Sequence, residues 1–353
     1  MNRRPLKLLL LLWLALPGAS SVSAADPAAA EAATDHGATL LKTVLVTGTQ
    51  PGPGLWQVSK DGHVLWLLGN VSPVPKKMRW NASEVEQIIA RSGAVLAPPA
   101  FVFDADVGFF KMLFLLPKLL KARNSPEHLP LAKLVNAGDY ARWLVLKQRY
   151  LGKNTKVESY RPIFAAQTLY DDAIARVGLS NRSVANKVIR KATSKRQLKA
   201  TPTLVKIKIE DSKALLKDFN ATTLNDTECF SKILTHLDAD LETMADRANA
   251  WATGDLEMLR ALPYTDPSRV CMDAVFNDGI FMKRGIGMEA VRAQAKATWL
   301  AAAEAAIKQY PTSFGSLPMA QILKADGYVA ALRDRGYTVT APDAEAAATS
   351  SAP

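Results

Sequence analysis

Apolar and polar residues alternate from Leu55 to Lys60, Asp61 and Gly62 intervene, and a nearly continuous apolar run follows from Val64 to Leu68. Alternation marks a half-buried strand, and Asp-Gly tolerates the positive φ of a two-residue turn. The segment 54–69 therefore predicts a hairpin in which an outer strand leads into a buried one. Asn81 or Ser83 can cap the helix that comes next, with Val85, Ile88 and Ile89 as its apolar face. A short apolar strand from Gly93 to Ala97 closes a strand–helix–strand unit, which favours an α/β sheet over a helical bundle.

A helical period then takes over. Helices are predicted at about 107–121, 131–151, 163–177, 183–193, 211–220, 228–253, 266–277 and 290–309. Leu204 to Ile209 alternates with Lys206 and Lys208 on one face and reads as a strand, with a helical start as the competitor. Trp251 to Leu256 reads as a helix end, with Gly254 as the stop and Asp255 capping a new helix. Arg161-Pro162 puts proline at a first helical position and leaves Arg161 to face a cleft. Thr312 to Leu317 predicts a short buried strand, 320–323 and 327–335 predict helical turns, and 336–339 predicts a final strand. The fold class is α/β: a mixed sheet of amino- and carboxyl-terminal strands, with a large helical insertion at about 105–300.

The chain has 353 residues, two of them Cys and four His, and a formal charge of +11. That excludes zinc-finger arrays and disulfide frameworks. Arg3, Arg4 and Lys7 precede an apolar run from Leu8 to Leu16 and a small-residue cleavage pattern at Val22-Ser23-Ala24. Residues 1–24 thus predict a secretory signal, with an uncleaved anchor as the rival; the run is shorter than the roughly 20 residues a spanning helix needs. Cleavage would remove three cations and lower the formal charge to +8. Residues 25–39 and 343–353 are Ala-rich and aperiodic and predict disordered flanks around a folded unit at 40–342. The apolar stretch Phe109 to Leu120 carries Lys111, Pro117 and Lys118 and reads as a buried helix. Cys229 and Cys271 form an even pair in a chain expected to be exported, which favours a disulfide; two separate buried thiols are the alternative.

Leu65 to Gly69, then Trp251 to Leu256, Trp299, Phe314 to Met319 and Gly336 to Val339 occur in an order and spacing that resemble the TraB/GumN family, relatives of the TIKI metalloproteases. The resemblance implies a metal-dependent hydrolytic site. Its parts are a Gly-Thr-x-His at the end of the first strand, a Glu on the following strand, a Glu-Arg-Asn on a late helix and a Gly-x-x-His near the end. This chain departs at each. Gly69-Asn70-Val71-Ser72 puts Ser72 at the first His, and no acid precedes Pro98. Gln294-Ala295-Lys296 replaces Glu-Arg-Asn, and Gly315-Ser316-Leu317-Pro318 puts Pro318 at the last His. Neither Ser nor Pro offers an imidazole lone pair, and Lys296 brings a positive charge.

No other constellation rebuilds the site. His63 is expected to point to solvent from the hairpin, and His36, His128 and His236 stand at no ligand spacing. Asp104 with Asp106, and Asp171 with Asp172, are paired carboxylates with a cation-binding or acid–base reading. Ser72 lacks a nucleophile elbow. The basic run Lys187 to Lys199 reads as a solvated helix face on Val184, Val188 and Ile189, with an acidic polymer or lipid headgroup as the functional alternative. The expectation is an exported, catalytically degenerate binding or accessory protein of the cell envelope, without a cofactor. Its cleft would be edged by Asn70, Ser72, Gln294, Lys296 and Pro318. Its partner would be an envelope protein, peptide or polysaccharide; nucleic acid is not expected, and membrane contact would be peripheral. The alternative is a metal-dependent hydrolase with Mn, Co or Zn held by Asp104 or Asp106 and main-chain carbonyls.

Overall fold

The hairpin forms where the alternation places it. Strands β2 (Leu55–Lys60) and β3 (His63–Asn70) pair antiparallel through a turn at Asp61 and Gly62, whose φ values are 51° and 79°. The protein is described here from a computed structural model covering residues 48–105, 121–222, 224, 226–262, 267–277 and 279–344. The expected signal, leader and His36, together with Asp106 and the stretch Phe109 to Leu120, lie outside the described residues.

The described strands are, in chain order, β1 (Thr49–Gln50), β2, β3, β4 (Val74–Pro75), β5 (Arg79–Trp80), β6 (Ala94–Leu96), β7 (Ala100–Ala105), β8 (Leu179–Ser180), β9 (Leu204–Ile209), β10 (Thr312–Pro318) and β11 (Thr338–Thr340). The main sheet has the order β11-β2-β3-β10-β6. β10 runs parallel to both β3 and β6, and β11 pairs antiparallel with β2. The expected outer strand β2 is therefore not the edge; β11 covers it. The chain does close its sheet with strands from both ends, and the class is mixed α/β.

Helix α1 (Ser83–Arg91) links β3 to β6 and buries Val85, Ile88 and Ile89. Neither expected cap is used in the standard way. Ala82 holds the cap position, and the Asn81 Oδ1 accepts from the Ser83 backbone N–H at 3.1 Å and from its hydroxyl at 2.7 Å. The remaining helices are α2 (Ala137–Tyr150), α3 (Pro162–Arg176), α4 (Val184–Lys195), α5 (Ser212–Ala221), α6 (Thr227–Thr253), α7 (Leu256–Ala261), α8 (Pro267–Phe276), α9 (Gly279–Met282), α10 (Met288–Gln309), α11 (Met319–Leu323) and α12 (Tyr328–Asp334).

Three apolar clusters organise these elements. The first joins the sheet to α1, α4, α10, α11, α12 and the end of α6, around Leu67, Val95, Phe314, Trp251 and Trp299. Each such side chain contributes about 1.5–3 kcal/mol by leaving water. The second packs α2, α3 and the start of α6 around Trp143, Leu169 and Phe230, and includes the Cys229–Cys271 disulfide. The third sits under β7 and β9, a parallel pair within the helical insertion, where Phe103 stacks on Phe276 at 5.0 Å. Leu204 to Ile209 is thus the expected strand, with Lys206 and Lys208 exposed. Helix α6 has 27 residues and runs from the second cluster into the first, a length of about 40 Å at 1.5 Å per residue.

Two side chains depart from their expected places. Arg161 does not face a cleft: it is 2% exposed and donates to the Ala122, Thr222 and Phe219 carbonyls at 3.1, 2.6 and 2.6 Å. Burial depresses its pKa, and those carbonyls satisfy the guanidinium. His63 does not point to solvent: its Nδ1 lies 2.6 Å from the Ile307 carbonyl, because the end of α10 packs over the hairpin. The basic run also has structural work. Val184, Val188 and Ile189 pack inward, and the Arg196 Nη1 donates to the Ile89 and Ser92 carbonyls at the end of α1. Asp343, first of the expected loose tail, is in place and pairs with Arg260; residues 345–353 lie outside the described residues.

Candidate functional site

Parallel strands put their carboxyl ends on one side of a sheet, and open α/β sheets bind ligands there. β3 ends at Asn70, β10 at Pro318, and Pro98 lies just past β6. These residues line one cavity of about 580 Å³, within the range of small-molecule sites. Val71 and Ser72 continue the wall from β3, Met319, Ala320, Leu323 and Lys324 come from α11 and the residue after it, and Ser183 and Asn186 come from the start of α4. Arg247 of α6 and Leu259, Arg260 and Leu262 from α7 and beyond complete it.

Local sequence explains this convergence. Gly254 adopts φ 79°, stops α6, and leaves the Asp255 side chain to accept from the Met258 N–H at 2.9 Å, which starts α7 as the motif predicts. The Trp251 Nε1 donates to the Gly69 carbonyl at 2.6 Å and fastens the end of α6 to the end of β3. Arg247 precedes Trp251 by one helical turn and so faces the same way. Gly69 is required by close approach, since a Cβ there would stand 2.4 Å from the Met319 Cε.

Of the family-site positions, Asn70, Ser72, Pro98 and Pro318 meet at the cavity. Gly69 abuts it. Gly315 lies inside the sheet against Leu67, Leu96 and Trp299, and Ala295 is buried on α10. Gln294 and Lys296 do not edge the cavity. Both are away from the buried row Ala295, Trp299 and Ala303, and the Lys296 Nζ donates to the Asp326 carbonyl at 2.7 Å. The Ser72 hydroxyl donates toward the Asn181 carbonyl at 3.4 Å and its Oδ1 at 3.3 Å, neither of which is a base for a nucleophile.

The electrostatics are one-sided. The lining holds Arg247, Arg260 and Lys324 and no Asp, Glu, His or Cys. The Asp343 carboxylate raises the Arg260 pKa by hydrogen bonding and is itself held low by it. Lys324 lies 2.8 Å from Asp326 and depresses that carboxyl in the same way. The Asn70 Oδ1 is sealed from solvent and has no hydrogen-bond partner. A transition-metal ion needs imidazole, thiolate or carboxylate donors. These walls supply amides, hydroxyls and cations, which do not fit one. Asp104 is exposed on β7 beside Lys206, Asp171 bonds Gln167 on α3 with its pKa raised chiefly by burial, and neither lines the cavity. Among the described residues, no three His, Cys, Asp or Glu side chains cluster to hold a metal ion.

With this geometry in place, the sequence profile of the TraB/PrgY/gumN family matches residues 54–341. The chain belongs to that family. The matched span starts at the hairpin and ends just after β11, so this sheet and everything between its first and last strands is the TraB/PrgY/gumN unit. No curated protein and no solved structure matches the chain.

Sequence reasoning reached the strand ends but missed Arg247, Arg260, Lys324, Ser183 and Asn186. One signal was available for Arg247, its one-turn spacing from the Trp251 motif. The others converge only through tertiary packing.

Proposed function

We propose that this TraB/PrgY/gumN protein is an exported, catalytically degenerate member that binds a ligand in the cavity at its strand ends, as a binding or accessory protein of the cell envelope. The observation that carries this reading is the cavity wall itself: a pocket of ligand size at the family position, built from amide, hydroxyl, cationic and apolar side chains and no metal donor. Export is supported by the amino-terminal pattern and by the Cys229–Cys271 disulfide, a bond that persists in oxidising compartments. Among the described residues no helix is long and apolar enough to cross a membrane.

Thermal unfolding of the chain with Mn, Co or Zn, and with chelator, tests the reading. A ligand that binds only the folded state at a hundred times its Kd stabilises by about 2.7 kcal/mol. The expected result is no saturable, chelator-reversible rise in Tm. A rise with any of the three ions would overturn the reading in favour of a hydrolase with a rebuilt site.

A further inference from the structure

We infer that the strand-end cavity takes an amphiphile with an anionic head, a carboxylate or a phosphate, joined to an aliphatic body. The inference rests on the reading that this cavity binds a ligand, and names the ligand's chemistry.

Three observations converge on the head group. Arg247, Arg260 and Lys324 face the cavity and no carboxylate does. The acids that pair with Arg260 and Lys324 stand outside the lining at exposed positions, Asp343 bidentate on Arg260 and Asp326 on Lys324, so a bound anion shares these cations from the cavity side. The 12-residue helix α4 begins at the cavity: its cap Ser183 and Asn186 are both lining residues, and the Ser183 side chain accepts the Asn186 N–H at 3.1 Å. The positive end of that helix adds to the same field. The stretch that contributes Ser183 and Asn186 to the lining is basic, with ten Lys or Arg and no acid between Asp172 and Glu210.

The body follows from the apolar part of the lining. Val71, Leu259, Leu262, Met319 and Leu323 present hydrocarbon, which a bare anion would leave wetted and an alkyl chain would cover at about 25 cal/mol per Å². Asn70 lines the cavity at the end of β3. Its amide adds a neutral hydrogen-bonding group to the lining that can meet the head.

Titration calorimetry of the full chain with decanoate and with decyl phosphate, against decanol and inorganic phosphate, all below micelle-forming concentrations, decides the matter. Saturable binding of either anionic amphiphile, at least tenfold tighter than decanol and than inorganic phosphate, is the expected result; which of the two heads binds more tightly separates a carboxylate from a phosphate ligand. The double variant Arg260→Gln/Lys324→Gln alters two exposed side chains, and should weaken the anionic amphiphile at least tenfold while leaving decanol and Tm unchanged. Equal affinity for decanol, equal affinity for inorganic phosphate, an unaffected double variant, or no binding by any probe would each overturn the inference. A metal-dependent Tm would overturn the preceding reading alone, and loss of head-group selectivity would overturn this one alone.

Discussion

Reducing the Cys229–Cys271 bond in the intact chain isolates what one cross-link does for the insertion. The two cysteines are 42 residues apart in sequence and their Cα atoms 4.8 Å apart, tying the first turn of α6 to α8. In the chain-entropy account, closing a loop of that length removes about 13 cal/mol/K from the unfolded ensemble, so reduction should cost about 4 kcal/mol at 25 °C. Both sulfurs are buried among Phe230, Ile233 and the α3 face, and reduction deletes no atoms from that packing. Urea unfolding with and without a phosphine reductant is the assay, with thiol counting in denaturant to verify each state. With a slope near 3 kcal/mol/M, the midpoint should fall by about 1.3 M. The Cys229→Ala chain should show no response to reductant. A fall smaller than about 0.3 M, with two free thiols counted, would refute the reasoning, since it would mean that the unfolded chain gains no freedom when the loop opens.

Three further outcomes follow from buried groups. Trp251→Phe removes the 2.6 Å bond to the Gly69 carbonyl and leaves that carbonyl buried, which should cost about 2–3 kcal/mol in urea unfolding; a loss under 0.5 kcal/mol would show that the tie between α6 and β3 is dispensable. Arg161→Met strands four carbonyls and should cost about 3–5 kcal/mol, with Arg161→Lys recovering only part, as read from the same denaturation curves. Burial pushes the Tyr328 phenol up to about 12 from an ordinary value of 10.0. The folded chain then keeps a proton that the unfolded chain releases, so this contribution is fully present below pH 10 and is lost as pH rises to 12. Tyr328→Phe should flatten the stability curve across that window, and an unchanged slope would assign the effect elsewhere.

Local signals carried far in this chain. Asp61-Gly62 between an alternating and an apolar run specified the hairpin, and Gly254-Asp255 specified a helix junction, because both depend on backbone conformations that few residues adopt. Strand β7 was not foreseen. Ala100 to Ala105 has only two Phe and a Val to recommend it, and its partner β9 lies about a hundred residues downstream, so the pairing leaves no local mark. His63 shows the same limit: its place beside the turn suggested water, and only the arrival of the Ile307 carbonyl buries one side of it. The error over Gln294 and Lys296 was avoidable. Ala295, Trp299 and Ala303 form one helical row, and residues on either side of Ala295 are rotated by about 100° away from it. At the cavity, the strand-end residues were legible from the family pattern, whereas Arg260 and Lys324 read as ordinary solvated cations until α7 and α11 are brought to the strand ends.

The position of β10 bears on how the chain is made. It is an interior strand of the sheet, in register with Val64 to Asn70 on one side and Ala94 to Leu96 on the other, yet it begins only at Thr312. Synthesis proceeds from the amino terminus, so β3 and β6 emerge as unsatisfied edges long before the strand that separates them exists. A nascent chain stopped short of Thr312 has no route to this sheet, and exposed strand edges of that kind recruit other chains. Completion of this sheet therefore waits until nearly all of the chain has been made, whereas the second and third clusters draw only on residues that precede it.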